Sequence, residues 1–570
     1  MSTNKKICIG IDIGNSYSSI SFYDSITKEQ KVLTLQNNNN SIPSYISISQ
    51  QKEGKTLIGF AAKNDINYNS IANNFIKLIG KKYNEIENEV LNTSFKITKS
   101  EKYGNEYPII NLYNPETNKY EEFYPEEMIV IMLSYFKKII NEYFGNEIEI
   151  QKMIITIPSS FNYEQKMAME TAIKIMNFKN TQLLNESTAA ILEYQRNYRN
   201  NLKENDKIVV INFGGSNLDI SCCEIDSKKS IRIIENGGNS NLGGNIFDEI
   251  LMKIIKEKIL NEYEEILLLN DDNEEMNYYF DGKNDDKLTI LQRNKKQRRI
   301  NRLRRESERI KIELSYQSSV EISLYNLFGD DYDENEMIPI EITRNEFEEK
   351  CKENGIYDKI KETITKISKR SNFNKQNTNL ILLIGGTCKI PSVREVIFTI
   401  FDKNKSTDSS FDVLTSVVKG ASYYAYTSLI EEEKLIEDVN IIPIGIEINN
   451  RMFYVFFKTG DPIPSRMKKN YTILIENRKS IVFKIYCGDS KYTTSLDMKC
   501  IDRLRLDNLP NIQKMNVEIT MKINKNGSLE MKVENKEYSI SKKIITNIEF
   551  KNESEEIINL RNHVSQFWVV

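Results

Sequence analysis

Two glycine-containing turns, each beside acidic or amide side chains, are the segments of this sequence best suited to chemistry. The first runs from Asp12 to Tyr17, and a similar pattern recurs from Asn212 to Asp219. Backbone N–H groups of such turns bind phosphate, and a nearby carboxylate can hold a divalent cation. One copy alone is most often a structural hairpin, whereas two copies favour a phosphate site shared by two similar lobes.

The segments around these turns predict how the turns are positioned. In each copy an apolar strand precedes the turn and a strand of alternating polarity follows it, which is typical of a hairpin. A third glycine turn, Gly385 to Thr387, follows the apolar strand Leu380–Ile384 and precedes a predicted helix at Pro391. Between the two copies, Pro125–Phe144 and Tyr163–Met176 show helical spacing on either side of another apolar strand. This alternation predicts an α/β fold.

A charged helix and a strand-rich segment follow. The basic run within Asn294–Ser315 could indicate nucleic-acid binding, but interleaved glutamates and the lack of aromatic residues favour a solvated helix face.

Between Ile441 and Phe550, short strands of alternating polarity are separated by turn signals, which predicts an all-β domain. The tracts Asn37–Asn40 and Asp330–Glu336 are interpreted as loop tips.

Composition excludes several classes of function. The formal charge, 78 − 81 = −3, provides no overall positive field for nucleic acid or anionic lipid. Seven cysteines without a Cys-x-x-Cys pair indicate neither a disulfide framework nor a zinc site, and they favour a reducing compartment. The single histidine, His563, is predicted to be solvated and excludes histidine-based catalysis in the main body. A polar N-terminus and no run of about 18 apolar residues predict a cytoplasmic protein.

Taken in order, these motifs resemble the 70-kilodalton heat-shock chaperone (Hsp70) family across nearly the whole chain. The resemblance implies an α/β two-lobed, actin-like ATPase domain (ribonuclease H-like, duplicated) at residues 1–430 and an interdomain linker at 431–440. It also implies an all-β sandwich that binds peptide at 441–550, and a short tail at 551–570 in which the family's helical lid is not expected. The matching segments are Gly10–Tyr17, Tyr124–Glu127, Ile157–Asn162, Asn185–Ala190, Asn212–Gly215, Leu242–Gly244, Glu308–Lys311 and Ile384–Pro391.

The resemblance further implies that ATP or ADP binds with Mg²⁺ between the two lobes. Asp12 and Asp219 would lie near the metal ion and hold it through water, and Glu186 would orient the attacking water. These three acids are the predicted catalytic residues. The residues predicted to bind nucleotide are Gly14, Asn15, Ser16, Tyr17, Gly214, Gly215, Ser216, Asn217, Gly243, Gly244, Gly385, Gly386, Thr387 and Lys389, with Glu308, Lys311 and Ser315 forming the adenosine pocket.

Departures from the family pattern affect the same site. Ile76 takes the place of the family's phosphate-binding lysine, and Asn212 replaces a family aspartate. Isoleucine cannot neutralise phosphate charge, and a carboxamide cannot act as a base, so we expect weak or absent hydrolysis with nucleotide binding retained. The alternative is a one-residue shift that restores Lys77 to the lysine's place. Further departures are Asn15, Ser216, Asn217 and Leu414.

The resemblance also places apolar residues of the β-domain in a peptide-binding cleft, although each could instead belong to the sandwich core. The linker Leu435–Asp438 is less aliphatic than the family's, and Lys166 stands where the family has a relay arginine that a lysine cannot mimic. Coupling between the domains is therefore expected to be weak. The predicted peptide-binding residues are Ile448, Tyr471, Leu474 and Ile481.

Three functions remain open from the sequence. The favoured hypothesis is an atypical chaperone that binds ATP and extended apolar segments of unfolded or nascent polypeptides. An active ATP-hydrolysing chaperone and a pseudo-ATPase scaffold that binds no nucleotide are the alternatives. A J-domain cochaperone, a nucleotide-exchange factor and the ribosome are candidate partners, whereas direct contact with DNA or a membrane is not expected.

Overall fold

The structure is a computed structural model of the chain. The residues that it describes are 5–49, 56–86, 95–100, 107–145, 148–227, 229–262, 290–323, 339–407, 411–430, 436–440, 443–448, 451–458, 461–476, 478–488, 490–495, 498–524, 529–546 and 555–567. The predicted loop tip at Asp330–Glu336 lies outside these residues, as does the first half of the predicted linker, 431–435.

The first sheet carries the first glycine turn at the end of its central hairpin. Its described strands are ordered β12-β11-β1-β2-β3, with β4 also paired to β2; β1 is antiparallel to β2 and parallel to β11. We call the part of the chain built on this sheet lobe I. Strands in this part of the chain are β1 (Lys5–Ile13), β2 (Tyr17–Asp24), β3 (Gln30–Val32), β4 (Ile42–Pro43), β5 (Ile46–Ser47), β6 (Leu57–Ile58), β7 (Ile71–Ala72), β8 (Lys96–Lys99), β9 (Pro108–Asn114), β10 (Lys119–Phe123), β11 (Ile148–Ile157) and β12 (Thr181–Asn185).

The second sheet repeats this arrangement around the second glycine turn. β13 is antiparallel to β14 and parallel to β18, as β1 is to β2 and β11, so the repeat in the sequence is a repeat in topology. We call this part lobe II. Its strands are β13 (Lys207–Phe213), β14 (Leu218–Ile225), β15 (Ile231–Asn239), β16 (Ser319–Ser323), β17 (Pro339–Thr343) and β18 (Leu380–Ile384), and β19 (Ile436–Val439) extends the sheet beyond β15.

Helices cover the sheets and fill the space between the lobes. The predicted helices at Pro125–Phe144 and Tyr163–Met176 are confirmed with the same bounds. The described helices are α1 (Phe60–Lys63), α2 (Pro125–Phe144), α3 (Tyr163–Met176), α4 (Glu186–Tyr198), α5 (Gly244–Glu262), α6 (Ile290–Leu314), α7 (Arg344–Glu353), α8 (Ile356–Arg370), α9 (Pro391–Ile400), α10 (Ser416–Thr427) and α11 (Glu555–Ser565). Short 3-10 turns lie at Gln36–Asn38, Tyr68–Ser70, Phe75–Leu78, Tyr83–Glu85, Arg199–Asn201, Gly386–Lys389 and Lys403–Lys405.

Helices α4 and α10 pack against each other between the two sheets. A Cβ atom on Gly420 of α10 would lie 1.7 Å from the carbonyl oxygen of Ala189 in α4, so only glycine permits this close crossing. One apolar cluster joins Cys8 and Ile154 of lobe I with Val210 of lobe II. This shared core holds the two glycine turns face to face.

The segment after residue 440 forms two antiparallel sheets, which confirms the strands predicted there. Their orders are β21-β20-β24-β25 and β23-β26-β27-β28, and their inward side chains share one apolar core. β19, from the predicted linker, pairs with β15 of lobe II and with β22, so the strand-rich segment is hydrogen-bonded to lobe II. The strands are β20 (Ile444–Ile448), β21 (Met452–Phe457), β22 (Pro462–Ile463), β23 (Ser465–Leu474), β24 (Ser480–Cys487), β25 (Lys499–Asp507), β26 (Lys514–Ile523), β27 (Leu529–Asn535) and β28 (Ile540–Thr546).

The C-terminal helix α11 returns to lobe I, so the prediction that His563 is solvated is wrong. Its Nδ1 lies 2.7 Å from Oε1 of the buried Glu127 in α2. Val564 is fully buried in the lobe I core, and Arg561 donates to the carbonyl oxygens of Lys174 and Ile175 near the end of α3. The buried Val564 side chain and the polar contacts of His563 and Arg561 hold α11 against lobe I. No local pattern in the tail indicates this packing.

Among the described residues, none of the helices combines the length and the hydrophobicity needed to cross a lipid bilayer.

Candidate functional site

The two glycine turns close in the same way and approach each other across the cleft. Gly14 donates its N–H to the carbonyl oxygen of Tyr17, and Gly214 donates to that of Asn217, each at 3.1 Å. A Cβ atom on Gly215 would lie 1.8 Å from Oγ of Ser16 in the opposite lobe. The pair of turns thus forms one narrow constriction that is lined by backbone and short polar side chains, a surface suited to phosphate oxygens.

The cleft beside these turns has a volume of about 370 Å³. Nearly all the residues predicted to bind nucleotide line it. Asp219, Gly243 and Gly244 do not, because Asp219 is fully buried behind the second turn and the two glycines pack against Ser216 and Thr387. The predicted residues that line the cleft are Asp12, Gly14, Asn15, Ser16, Tyr17, Ile76, Glu186, Asn212, Gly214, Gly215, Ser216, Asn217, Glu308, Lys311, Ser315, Gly385, Gly386, Thr387 and Lys389.

Two carboxylates, Asp12 and Glu186, line one end of the cleft, and the buried Asp219 lies near enough to act on the charge of Glu186. Burial raises the pKa of Asp219 to about 6, in spite of hydrogen bonding from Ser160 and Asn217. Burial also raises the pKa of Asp12, which accepts a hydrogen bond from Thr156 Oγ1 at 2.6 Å. The pKa of Glu186 lies well above its usual value because the side chain is buried and faces the negative charges of Asp12 and Asp219.

Among the described residues no three His, Cys, Asp or Glu side chains are grouped closely enough to ligate one metal ion directly, so a divalent cation here would be held mainly through water. Oxygen ligands are those that Mg²⁺ prefers, and a cation would relieve the mutual repulsion that raises the pKa of Glu186. Asp12 and Asp219 are the residues that would hold it, largely through water. A cation held there would lie next to the two glycine turns, where it could neutralise phosphate charge.

Asn212 lies between these acids and bonds to one of them. It stands opposite Asp219 in the β13–β14 hairpin, and its Nδ2 donates to Glu186 Oε2 at 2.6 Å. A carboxamide therefore occupies one oxygen of the acid that is predicted to orient water. An aspartate at this position could not donate this bond.

Ile76 lines the cleft, but most of its side chain belongs to the lobe I core, where it is 5% exposed. The adjacent Lys77 also lines the cleft. Burial raises the pKa of Glu249 in α5, and the positive charge of Lys77 offsets part of that rise. The two side chains thus differ in their surroundings: Ile76 is apolar and enclosed, and Lys77 acts on an acid of lobe II.

Helix α6 supplies the polar wall at the other end of the cleft. Glu308 accepts hydrogen bonds from Lys63 Nζ at 2.5 Å and from Tyr17 Oη at 3.0 Å, both in lobe I. Burial alone would raise the pKa of Glu308, but the Lys63 and Lys311 ammonium groups hold it below its usual value. Burial lowers the pKa of Lys63, but the Glu308 carboxylate, with smaller contributions from Tyr17 and Tyr45, raises it above its usual value overall.

The remaining polar residues of this wall are bonded within lobe II. Lys311 Nζ lies 2.7 Å from Asp248 Oδ1, and Ser315 Oγ donates to the carbonyl oxygen of Lys311 at 3.1 Å. Thr387 Oγ1 donates to the carbonyl oxygen of Gly214 at 2.8 Å, which fixes the third glycine turn to the second.

Sequence reasoning missed several residues that line the cleft. Ile312 and Tyr316 lie one and two helical turns after Glu308, so the i, i+4 spacing from a predicted site residue could have indicated them. Lys81 and Gln165 also line the cleft, and the turn at Gly80 packs on α3, where a Cβ atom would lie 2.6 Å from the backbone of Gln165. No local pattern signals that second contact.

The predicted peptide-binding residues are distributed over both sheets of the strand-rich segment. Ile448 (β20), Tyr471 (β23) and Ile481 (β24) are partly buried and pack on the edge of its core. Leu474, at the end of β23, is 44% exposed. Tyr471 also packs edge-on against Tyr454, with ring centroids 5.2 Å apart.

The fold and the site define a protein of two α/β lobes with duplicated glycine turns, followed by a β-rich segment. Comparisons with known proteins agree with this class. The family model described as "Hsp70 protein" matches residues 8–277 and 269–568, and the chain belongs to this family. Heat shock cognate 70 kDa protein 3 of Dictyostelium discoideum is 25% identical over 554 residues, which cover 95% of this chain and 80% of that protein.

Proposed function

We propose that this Hsp70-family chaperone binds ATP with Mg²⁺ in the interlobe cleft, hydrolyses ATP weakly or not at all, and binds extended apolar segments of unfolded or nascent polypeptides. The observation that carries the weak hydrolysis is the hydrogen bond from Asn212 Nδ2 to Glu186 Oε2. A cytoplasmic location and assistance from a J-domain protein, a nucleotide-exchange factor or the ribosome belong to the same proposal.

The residues of the chain support binding better than they support catalysis. The turns at Gly14 and Gly214 offer backbone N–H groups to phosphate, and Mg²⁺ bound near Asp12 and Asp219 would neutralise phosphate charge. Phosphoryl transfer depends on further positive charge and on a positioned water. Ile76 supplies no charge.

Water positioning is weakened separately. Glu186 would orient the attacking water, but one of its oxygens already accepts the Asn212 amide. The carboxamide cannot accept a proton from water as an aspartate could. Two independent contributions to the transition state are therefore reduced, whereas the backbone N–H groups of the two glycine turns remain available for phosphate.

Calorimetric titration of the full chain with a non-hydrolysable ATP analogue tests the binding part. We expect binding in the presence of Mg²⁺ and a large loss of affinity in Gly215→Val, because the new side chain would collide with Ser16 across the cleft. Absence of binding by the wild-type protein would reject the proposal in favour of a scaffold that binds no nucleotide.

Peptide binding rests on the partly buried apolar groups at the edge of the β-rich core, together with the exposed Leu474. An extended peptide adds main-chain hydrogen bonds at such an edge and inserts a side chain into an apolar pocket. The linker strand β19 is hydrogen-bonded to lobe II, which provides a physical connection between this segment and the nucleotide cleft.

A further inference from the structure

A lysine ammonium group lies among aromatic rings where the two sheets of the β-rich segment meet. In the described part of the chain, β21 and β23 are the end strands of their sheets. Lys469 of β23 reaches across to β21, where its Nζ lies 4.3 Å from the ring centroid of Tyr454 and 5.2 Å from that of Phe456. Tyr471, two residues further along β23, packs edge-on against Tyr454. Because the π-face of an aromatic ring attracts a cation, these rings hold the ammonium group in place.

The Lys469 ammonium has a hydrogen-bond donor left for a ligand. Its Nζ donates to Tyr454 Oη at 3.2 Å and to the carbonyl oxygen of Val455 at 3.3 Å, which uses two of its three N–H groups. No carboxylate of the described residues lies within ion-pair distance of Lys469, whereas Nζ of the neighbouring Lys468 lies 2.8 Å from Glu518 Oε1. Lys469 is only partly buried, so a carboxylate from outside the chain can reach it.

The net charge of the β-rich segment favours the same kind of ligand. Residues 441–550 contain 19 lysine and arginine residues and 12 aspartate and glutamate residues, 19 − 12 = +7, although the formal charge of the whole chain is −3. A positive field raises the local concentration of anionic ligands and repels cationic ones. An acidic peptide therefore suits this segment better than a basic one.

The spacing along β23 defines where the acid must lie in such a peptide. β23 pairs with β26 along one edge, and no described strand pairs with its other edge, so an extended peptide can add there through main-chain hydrogen bonds. Side chains two residues apart on an extended strand share a face. A peptide whose apolar side chain contacts Tyr471 therefore presents the residue two positions away to Lys469. Its adjacent residues point to the opposite face.

We propose that Lys469 determines specificity in peptide binding by selecting extended segments with an acidic side chain two positions from the apolar side chain that contacts Tyr471. The third N–H group of the ammonium donates to the carboxylate of the peptide. The partner is thus an extended segment that is both apolar and acidic, and basic segments bind more weakly. This inference rests on the proposed peptide binding and adds its charge selectivity.

Fluorescence anisotropy of the full chain with labelled extended peptides tests the inference. The first peptide has a central leucine, valine at both adjacent positions and aspartate two positions away on both sides, which covers either strand direction. The second exchanges the valines and the aspartates, so its composition and charge are the same. We expect the first peptide to bind about fivefold more tightly, a factor within the range for a partly exposed ion pair. A third peptide, with lysine in place of each aspartate of the first, should bind most weakly.

Variants of the two adjacent lysines assign the effect to one side chain. Lys469→Met keeps an apolar chain over the rings but removes the charge, so it should abolish the difference between the two aspartate peptides. Lys469→Arg keeps a cation and should retain most of the difference. Lys468→Met is the matched control, since this lysine lies on the other face of β23 beside Glu518, and it should leave the difference unchanged.

Equal binding of the two aspartate peptides by the wild-type protein would overturn the inference and leave the proposed peptide binding standing. A difference that persists in Lys469→Met would do the same. Binding of none of the peptides by the wild-type protein would overturn both the inference and the proposed peptide binding.

Discussion

Lys63 and Glu308 form an ion pair across the cleft, one residue in each lobe, with Nζ 2.5 Å from Oε2. Both side chains are largely buried, at 13% and 19% exposure. A pair that is removed from water in this way depends on both partners, because a lone buried charge destabilises the structure. The pair is therefore a direct link between the two lobes across the cleft.

Removing the cation of this pair should speed nucleotide release. In Lys63→Met, Glu308 loses its interlobe partner, and we expect the dissociation rate of a fluorescent ADP to rise about tenfold, equivalent to about 1.4 kcal/mol. Stopped-flow displacement measures this rate. Lys31→Met removes an exposed cation from the same lobe and should leave the rate unchanged; equal rates in both variants and in the wild type would show that the pair does not hold the cleft closed.

Restoring charge to the closed end of the cleft should increase hydrolysis. Ile76→Lys adds an ammonium group beside the phosphate turns, and Asn212→Asp frees Glu186 from its amide donor and adds a carboxylate. The double variant should hydrolyse ATP at least tenfold faster than the wild type in single-turnover assays, since one such contribution is worth about tenfold or more. Ile76 is enclosed by lobe I core residues, so a lysine there could destabilise the fold, and thermal unfolding of each variant must accompany the assay. A folded double variant with unchanged turnover would mean that these two positions do not limit hydrolysis.

A charge in the apolar edge of the β-rich segment should abolish peptide binding. Ile481 is partly buried against that core, whereas its neighbour Val482 points to the other face of β24 and is 45% exposed. Ile481→Asp in the full chain should therefore lose affinity for a labelled extended apolar peptide, while Val482→Asp should keep it. Fluorescence anisotropy distinguishes these outcomes, and equal affinity in the two variants would place the peptide elsewhere.

The C-terminal helix should detach when its buried contact is charged. Val564→Asp puts a carboxylate into the lobe I core at an estimated penalty of several kcal/mol, which exceeds what the remaining surface contacts of α11 can offset. Hydrogen exchange across residues 555–565 should accelerate by at least a hundredfold. Ser565→Asp, at an exposed position of the same helix, serves as the control; slow exchange retained in Val564→Asp would show that α11 is held by other contacts.

Elements with strong local signals were predictable from the sequence, whereas long-range contacts were not. Helix α2 was predicted with its exact bounds because Pro125 favours the first helical position and Gly145 ends the periodic pattern. The repeated hairpins were predictable because an apolar strand precedes each glycine turn and a strand of alternating polarity follows it. The Lys63–Glu308 pair and the contact between His563 and Glu127 join residues far apart in the chain, and their partners become adjacent only through the packing of whole elements.

Within the site, residue types indicated which groups could bind phosphate but not how they are already bonded. Asn212 was recognised as a lost carboxylate, yet its hydrogen bond to Glu186 depends on how strand β13 and the start of α4 meet. Ile312 was interpreted only as part of a charged helix, and Tyr316, just beyond that helix, was assigned no role. Their exposure at the cleft depends on the rotation of α6 about its axis.

The fate of ATP bound to the wild-type protein tests the central claim most directly. The full chain, preloaded with radiolabelled ATP and Mg²⁺ and separated from free nucleotide, should retain mostly ATP over a period in which the Ile76→Lys, Asn212→Asp double variant converts most of its ATP to ADP. Conversion of the bound ATP by the wild-type protein as fast as by the double variant would contradict the account.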